Sequence, residues 1–156
     1  MRIVAWRIVK KQHQDNAFSG EGARLYGGRW NPAGTPLIYT AESISLAALE
    51  ILVHLTRRQL LRDSFVTIPI TFDPRRSQSF DRKKLPPDWA RFPPPASTQA
   101  IGLNWASGRG SAVLKVPSTI IPQEHIYLIN PKHPDFAKMT IGTPKKFIVD
   151  PRLGNA

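Results

Sequence analysis

An arginine, a tyrosine and a glutamate follow one another in the glycine-containing segment GARLYGGRWNPAGTPLIYTAESISLAALE, residues 22–50. They are Arg29, Tyr39 and Glu50. Arginine binds phosphate oxygens through planar, multidentate hydrogen bonds, and a fixed carboxylate can stabilise a developing positive charge. These residue types indicate a site that could bind a phosphorylated nucleotide and cleave it.

Glu50 is the one acidic residue of an apolar stretch that predicts a helix over residues 44–56, with Ser43 as its N-cap. A carboxylate among aliphatic side chains loses hydration unless it is paired or lies in a water-filled cleft. At about 100° per residue, however, Glu50 also falls on a polar stripe of the helix with His54 and Arg57. Periodicity therefore leaves open a cleft and a solvated face.

The length and composition indicate a single soluble domain. A chain of 156 residues can bury a substantial core, and no apolar stretch approaches the roughly 20 residues of a membrane span. The N-terminal sequence MRIVAWRIVKK alternates like a strand and lacks the apolar core of a signal peptide, so we expect a cytoplasmic protein. The absence of cysteine excludes disulfides, thiolate zinc sites and cysteine nucleophiles.

The net charge of +11, from 22 Lys and Arg against 11 Asp and Glu, predicts an anionic partner or substrate. The basic pairs are scattered, and the chain has no helix-turn-helix, zinc-finger or aromatic-basic RNA motif. Direct nucleic-acid binding would therefore rest on charge alone. An acidic protein partner explains the same charge equally well.

The pattern of apolar residues predicts an α+β fold with mixed or antiparallel sheets and few helices. Strands are predicted at residues 2–9, 37–40, 65–72, 112–116, 126–129 and 146–149, and a second helix at 97–106. Residues 15–24 read as a polar loop. Regular alternation of strands and helices is missing, which argues against a doubly wound parallel sheet.

Residues 73–96 contain arginines, serines and the proline runs Pro86-Pro87 and Pro93-Pro94-Pro95. Because proline cannot donate to a sheet, we expect one long Pro-rich loop. Such a loop is either a lid or binding surface, or a tolerated insertion.

Six ordered motifs resemble those of the RES domain family. They are Arg7 in AWRIV, Gly22-Ala23-Arg24 with Gly27-Gly28-Arg29-Trp30-Asn31, Tyr39-Thr40-Ala41-Glu42, Leu49-Glu50, Val116-Pro117-Ser118 and Asn130-Pro131-Lys132-His133-Pro134. The resemblance implies a toxin of a bacterial toxin-antitoxin pair with a fold like that of the diphtheria-toxin type of ADP-ribosyltransferase. It covers roughly residues 2–135, so we expect one RES-type domain over 1–156 with a C-terminal extension from 136 to 156.

The resemblance also implies which residues act. The catalytic residues would be Arg29, Tyr39 and Glu50, and the residues that bind NAD would be Arg7, Gly27, Gly28, Arg29, Tyr39 and Ser118. NAD would be a substrate, with no prosthetic group. Leu103 stands where relatives often have an acid, and Ile126 where an asparagine is common, so substrate detail or local stability can differ.

The chemistry of NAD cleavage suits these residue types. Loss of nicotinamide passes through an oxocarbenium-like ribosyl centre, which Glu50 would stabilise while it holds a ribose hydroxyl. Arg29, with Arg7, would bind the pyrophosphate, and the two glycines would let the chain pass close to it. Tyr39 would pack against nicotinamide or its ribose, and Ser118 would donate a hydrogen bond near the same ligand.

The sequence leaves the acceptor open. Water would make the protein a NAD glycohydrolase, phosphate a NAD phosphorylase, and a protein side chain an ADP-ribosyltransferase. A different class, a basic nucleic-acid-binding module without catalysis, is the alternative.

The expected partner is a cognate antitoxin that is Xre-like, binds DNA, is acidic at the contact and blocks the entrance to the site. Oligomeric state stays open, and residues 145–149 could be an edge strand or a partner contact. His13, His54, His125 and His133 lack metal-ligand spacing, so no metal site is expected.

Overall fold

The strands pair into one eight-stranded sheet in the computed structural model, which describes residues 1–155. They are β1 (Ile3–Lys10), β2 (Ile38–Ala41), β3 (Phe65–Phe72), β4 (Ser77–Ser79), β5 (Val113–Pro117), β6 (His125–Ile129), β7 (Thr140–Ile141) and β8 (Lys145–Phe147). The order across the sheet is β4-β5-β6-β2-β1-β3-β7, and β8 also pairs with β3. The β4–β5 pair is parallel, whereas the other recorded pairs are antiparallel.

The helices are short and few beside this sheet. They are α1 (Glu21–Tyr26), α2 (Ile44–Leu52), α3 (Arg57–Arg62) and α4 (Ala96–Gly108), with 3₁₀ turns at Lys11–Asn16, Pro74–Arg76, Arg82–Lys84, Pro134–Lys138 and Pro151–Asn155. The predicted α+β class with a mixed sheet is confirmed. The six predicted strands are confirmed as well, with ends displaced by at most two residues.

Apolar side chains on both faces of the sheet are buried. One cluster joins residues of β1, β2, β5 and β6 to Leu46 of α2, Trp105 of α4 and Trp30. A second cluster contains Ile70 and Phe72 of β3. Burial of this apolar area fixes α2, α4 and the turn around Trp30 against the sheet.

The predicted helix over residues 44–56 is wrong at its C-terminal end. Ser43 caps its start as predicted, because its side chain accepts a hydrogen bond from the Leu46 N–H. The helix ends at Leu52, and α3 begins after Thr56. Thr56 and Gln59 form a capping box, in which each side chain accepts from the other residue's backbone N–H, so a new helix starts there.

Both predicted loops contain regular structure. Residues 15–24 include the end of the first 3₁₀ turn and the start of α1. Residues 73–96 include two 3₁₀ turns, which begin where Asp73 and Asp81 accept backbone N–H groups, and strand β4. The sequence Ser-Gln-Ser of β4 has no apolar alternation, and its pairing with β5 forms only in the tertiary structure.

The C-terminal residues complete one edge of the sheet. β7 and β8 both pair with β3, which faces β1 on its other side. The segment at residues 145–149 therefore supplies an edge strand, shortened to Lys145–Phe147. Across residues 1–155, no helix has the length and apolar character that crossing a membrane requires.

Candidate functional site

The turn between α1 and β2 contains two glycines. The backbone conformation requires the first, and a close side-chain contact requires the second. Gly27 ends α1 with a φ of 71°, in the left-handed region that favours glycine. At Gly28, a Cβ atom would lie 2.6 Å from the Tyr39 hydroxyl and 3.0 Å from Asn31 Oδ1. Tyr39 of the same chain therefore requires a glycine at position 28, and the approach of this glycine to a pyrophosphate stays a prediction.

Tyr39 and Asn31 hold this turn in place. The Tyr39 hydroxyl donates to Asn31 Oδ1 at 2.6 Å and accepts from the Trp30 N–H at 3.0 Å. Asn31 is fully buried, and its Nδ2 donates to the carbonyls of Ala23, Pro32 and Thr35. Burial raises the pKa of Tyr39, so the phenol stays neutral at physiological pH.

The predicted role of Tyr39, a ring that packs against the ligand, stays a prediction. Its hydroxyl already has two protein partners, and the ring alone remains to contact a ligand. Asn31 was not selected from the sequence as a site residue. Its signal was weak, because an asparagine before Pro32 is typical of many turns.

Arg29 lies between this turn and the Pro-rich segment. Its Nη1 donates to the carbonyl oxygens of Trp89 at 3.0 Å and Arg91 at 2.7 Å. Burial lowers the pKa of Arg29, and the charge of Glu50 opposes that effect. Arg29 and Glu50 are therefore close enough for their charges to interact.

Glu50, on α2, is held by Ser118, which directly follows β5. The Ser118 hydroxyl donates to Glu50 Oε1 at 2.8 Å and accepts from the N–H groups of Ile120 at 3.0 Å and Ile121 at 3.1 Å. Burial raises the pKa of Glu50, while the Ser118 hydrogen bond and the charges of His54 and Arg29 act to lower it. The net result is a raised pKa.

This arrangement decides between the two interpretations of the polar stripe that was predicted for a helix over residues 44–56. His54 and Arg57 are exposed, as expected of a solvated face. Glu50 is partly buried and is bonded to a residue of another element. Its carboxylate is therefore withdrawn from the solvated face and held against the residue that follows β5.

Ser118 has a different environment from the one predicted. It is only 1% exposed, and its hydroxyl is used by Glu50 and by its own turn. The geometry suits a group that orients the Glu50 carboxylate. Direct contact between Ser118 and a ligand stays a prediction from the resemblance.

Arg7 lies behind Tyr39. Its Nη1 donates to the Tyr39 carbonyl at 2.9 Å, at the junction where β1 and β2 share the single register pair Trp6 and Ala41. Its Nε is buried and has no hydrogen-bond partner among residues 1–155. Burial lowers the pKa of Arg7 to about 10, which leaves the side chain cationic at neutral pH. That Arg7 binds the pyrophosphate together with Arg29 stays a prediction from the resemblance.

Helix α4 packs against the turn that contains Gly28 and Trp30. A Cβ atom at Gly102 would lie 1.6 Å from the Trp30 carbonyl oxygen, so only glycine fits at that helix position. Gln99 Nε2, one turn earlier, donates to the Gly28 carbonyl at 3.1 Å. Neither residue has a local sequence signal for this contact, because the turn that it meets is distant in the sequence.

Other residues considered above take structural positions. Arg24 pairs with Glu21 on α1, and the His133 ring caps the 3₁₀ turn that follows it. Leu103 is partly exposed on α4, whereas Ile126 is buried. Within residues 1–155, no group of three or more His, Asp or Glu side chains is placed to hold a metal ion.

The geometry brings together Arg29, Tyr39, Glu50, Ser118 and the two glycines. The Glu50 carboxylate is partly buried, and Ser118 holds one of its oxygens. The charge of the Arg29 guanidinium acts on this carboxylate. The turn that carries Arg29 is held by the Tyr39 hydroxyl. Such a site can bind an anion at the arginine and stabilise positive charge at the glutamate.

Curated relatives match the chain over nearly its whole length. The chain is 39% identical over 156 residues to "Toxin Res" of Photorhabdus laumondii subsp. laumondii, covering 99% of each. It is 36% identical over 157 residues to the "Prs ADP-ribosylating toxin" of Sphingobium sp., covering 98% of each.

Among solved structures, the fold is similar to a chain of the M. tuberculosis MbcT-MbcA toxin-antitoxin complex, with a TM-score of 0.75 and 19% identity over 99% of this chain and 88% of that one. This likeness is in keeping with the ADP-ribosyltransferase-like fold that the resemblance implies. The model of the RES domain matches residues 4–150, which extends beyond the motifs found in the sequence. The chain belongs to the RES domain family.

Proposed function

We propose that this protein is a NAD-consuming toxin that cleaves the bond between nicotinamide and ribose. The observation that carries the proposal is the Glu50 carboxylate, which Ser118 holds at Oε1 within range of the Arg29 charge. Membership of the RES family and the toxin names of the relatives support it.

Glu50 would act through preorganised electrostatics. Departure of nicotinamide leaves an oxocarbenium-like ribosyl centre, and a fixed carboxylate stabilises that charge without reorganising. Oε1 is held by Ser118, whereas Oε2 has no hydrogen-bond partner among the described residues. Oε2 is thus the atom that can accept a ribose hydroxyl.

Arg29 would bind the pyrophosphate. Only its Nη1 donates to protein groups within residues 1–155, so Nε and Nη2 can form the two parallel hydrogen bonds that a phosphate accepts. Arg7 would add positive potential next to Tyr39, since it is partly buried, donates to the Tyr39 carbonyl and has no carboxylate partner among the described residues. The Tyr39 ring would then pack against nicotinamide or its ribose.

The proposal is tested by incubating the purified protein with NAD, with and without phosphate, and identifying the products by mass. We expect release of nicotinamide, with ADP-ribose as the second product if water is the acceptor and a phosphorylated ADP-ribose if phosphate is. Glu50→Gln should lower the rate at least about 100-fold, the range for loss of one preorganised electrostatic group.

The fold of the Glu50→Gln variant should remain intact. Because burial raises the pKa of Glu50, its ionised form is disfavoured in the folded state, so loss of that charge leaves the melting temperature at pH 7 equal or higher. Full activity in this folded variant, or no release of nicotinamide by the natural sequence, would refute the proposal.

Transfer of ADP-ribose to a protein is the second candidate reaction. The relative named "Prs ADP-ribosylating toxin" favours it, because it is 36% identical over nearly the whole chain. A protein acceptor would gain the mass of ADP-ribose and reduce the yield of free ADP-ribose. A non-catalytic nucleic-acid-binding module would instead show strongly salt-dependent binding that survives Glu50→Gln.

A cognate antitoxin is the partner that we propose. The structural neighbour comes from a toxin-antitoxin complex, and the net charge of +11 suits an acidic, Xre-like protein. Co-expression with the product of the neighbouring gene should give a complex that copurifies and no longer cleaves NAD. Failure to copurify would remove the antitoxin proposal and leave the catalytic one standing.

A further inference from the structure

The Pro-rich segment reaches Arg29 with its backbone. The carbonyls of Trp89 and Arg91 accept from the same atom, Nη1 of Arg29, at 3.0 and 2.7 Å. Two turns give this stretch its shape, since the Trp89 N–H donates to Pro86 O and the Arg91 N–H to Asp88 O. We call residues 85–95 the clasp.

The clasp is attached to the body of the protein at several points. Leu85 and Trp89 pack against the buried cluster that also contains Trp30. The Ser97 hydroxyl, at the start of α4, donates to Asp88 Oδ1 at 2.6 Å. The carbonyls that contact Arg29 are therefore held by packing on one side and by α4 on the other.

The hydrogen bonds to the clasp use one corner of the guanidinium. Arginine has five N–H donors, of which two are on Nη1. If Trp89 and Arg91 accept both, the Nε–H and one Nη2–H remain as a parallel pair on the opposite edge. That edge matches two oxygens of a phosphate group.

We propose that the clasp is a positioning element of the substrate site, whose backbone carbonyls orient Arg29 so that its Nε–Nη2 edge binds the pyrophosphate of NAD. This inference rests on the proposed function. It gives the Pro-rich segment a role in ligand affinity, with Asp88 as a positioning residue that acts through the clasp. Neither Asp88 nor Trp89 contacts the substrate in this arrangement.

The main test compares three variants of the full chain. Asp88→Ala removes the acceptor of the Ser97 hydroxyl, and Asp88→Asn retains an oxygen in its place. Asp81→Ala is the matched control, because it removes one carboxylate of the same segment that accepts only the Lys83 N–H. Each alanine variant changes the net charge equally.

The measurements are the Kd of ADP-ribose by calorimetry, kcat and KM for NAD, and the melting temperature. Asp88→Ala loosens the clasp without removing an Arg29 hydrogen bond, so we expect a change in affinity on the scale of one ordinary hydrogen bond, about fivefold. We expect Asp88→Ala to raise both Kd and KM by about that factor at unchanged kcat, while Asp88→Asn and Asp81→Ala stay close to the natural sequence.

Other results would overturn the inference. Tighter binding of ADP-ribose by Asp88→Ala would mean that the clasp competes with the ligand for Arg29. Unchanged Kd and KM would mean that the clasp does not position Arg29. If the natural sequence neither binds ADP-ribose nor cleaves NAD, the proposed function itself fails, which is a distinguishable outcome.

Hydrogen exchange offers a second measurement that needs no substitution. The amides of Trp89 and Arg91 are bonded within the clasp, so their exchange reports its opening. Added ADP-ribose should slow their exchange if the clasp stays on Arg29. Faster exchange in the presence of ADP-ribose would contradict the inference.

Discussion

Replacing Ser118 by alanine tests whether Glu50 acts as a held carboxylate. The substitution removes the hydroxyl that donates to Glu50 Oε1 at 2.8 Å. It also leaves the N–H groups of Ile120 and Ile121 without their acceptor. Glu50 would be freer to rotate, and its ionised form would lose a stabilising partner.

The size of the effect follows from the type of hydrogen bond. A bond to a charged group contributes about 1.5–3 kcal/mol. If this contribution is needed at the transition state, kcat/KM for NAD at neutral pH should fall about 10- to 150-fold. Some loss of stability should accompany it, because the N–H groups of Ile120 and Ile121, in a partly buried turn, lose their acceptor.

The pH dependence gives the more specific signature. Burial already raises the pKa of Glu50, and the Ser118 hydrogen bond lowers it, so Ser118→Ala should raise that pKa further. Activity requires the ionised carboxylate and is lost as the pH falls through this pKa. The acid limb of the kcat/KM profile should therefore move to higher pH in the variant.

The assay is nicotinamide release across a pH series, with Thr119→Ala as the control in the same turn. The control should leave the acid limb in place, because no hydrogen bond joins Thr119 to Glu50. An unchanged acid limb and an unchanged kcat/KM in a folded Ser118→Ala protein would refute the idea that Ser118 positions Glu50.

Three further substitutions and one control test the packing of the turn that carries Arg29. Gly28→Ala should destabilise the protein by about 1–3 kcal/mol in a urea titration, because its Cβ would lie 2.6 Å from the Tyr39 hydroxyl. Gly22→Ala is the matched control, because a Cβ atom at Gly22 would have no neighbour within 4 Å. This control should be neutral or should stabilise the protein by up to about 1 kcal/mol. Equal losses of stability in both variants would contradict the steric explanation. Gly102→Ala should reduce the melting temperature more than Gly28→Ala, since its Cβ would lie 1.6 Å from the carbonyl oxygen of Trp30. A folded Gly102→Ala protein with unchanged stability would exclude that contact. Tyr39→Phe should cost about 1–3 kcal/mol of stability and reduce NAD cleavage by displacing the turn; unchanged stability would show that the hydroxyl does not hold it.

Strands and helix caps could be predicted from the sequence where interactions between neighbouring residues produce them. The apolar alternation of residues 65–72 predicted β3 with its observed ends. Ser43 was identified as an N-cap because capping depends on a side chain and an N–H three residues later. The break of the predicted helix after Leu52 was missed, although Thr56 and Gln59 form a capping-box pattern within the chain.

The partners of the site residues were not readable in this way. β4 pairs with β5 although Ser-Gln-Ser has no strand signal, because the strand is defined by a neighbour distant in the sequence. Gly102 is required by the Trp30 carbonyl, a contact between α4 and a turn far earlier in the chain. Periodicity carries no information about contacts of this kind.

The sequence by itself determined the types of element, the cationic character of the chain and the residues that resemble the RES motifs. Only the tertiary structure decided that Glu50 is partly buried and hydrogen-bonded to Ser118, since the polar stripe of the predicted helix fitted a solvated face as well. The deciding partner, Ser118, is 68 positions away, and the Trp89 carbonyl that binds Arg29 is 60 positions away. Hydrogen bonds of this range depend on how the sheet orders its strands, and local propensity does not specify that order.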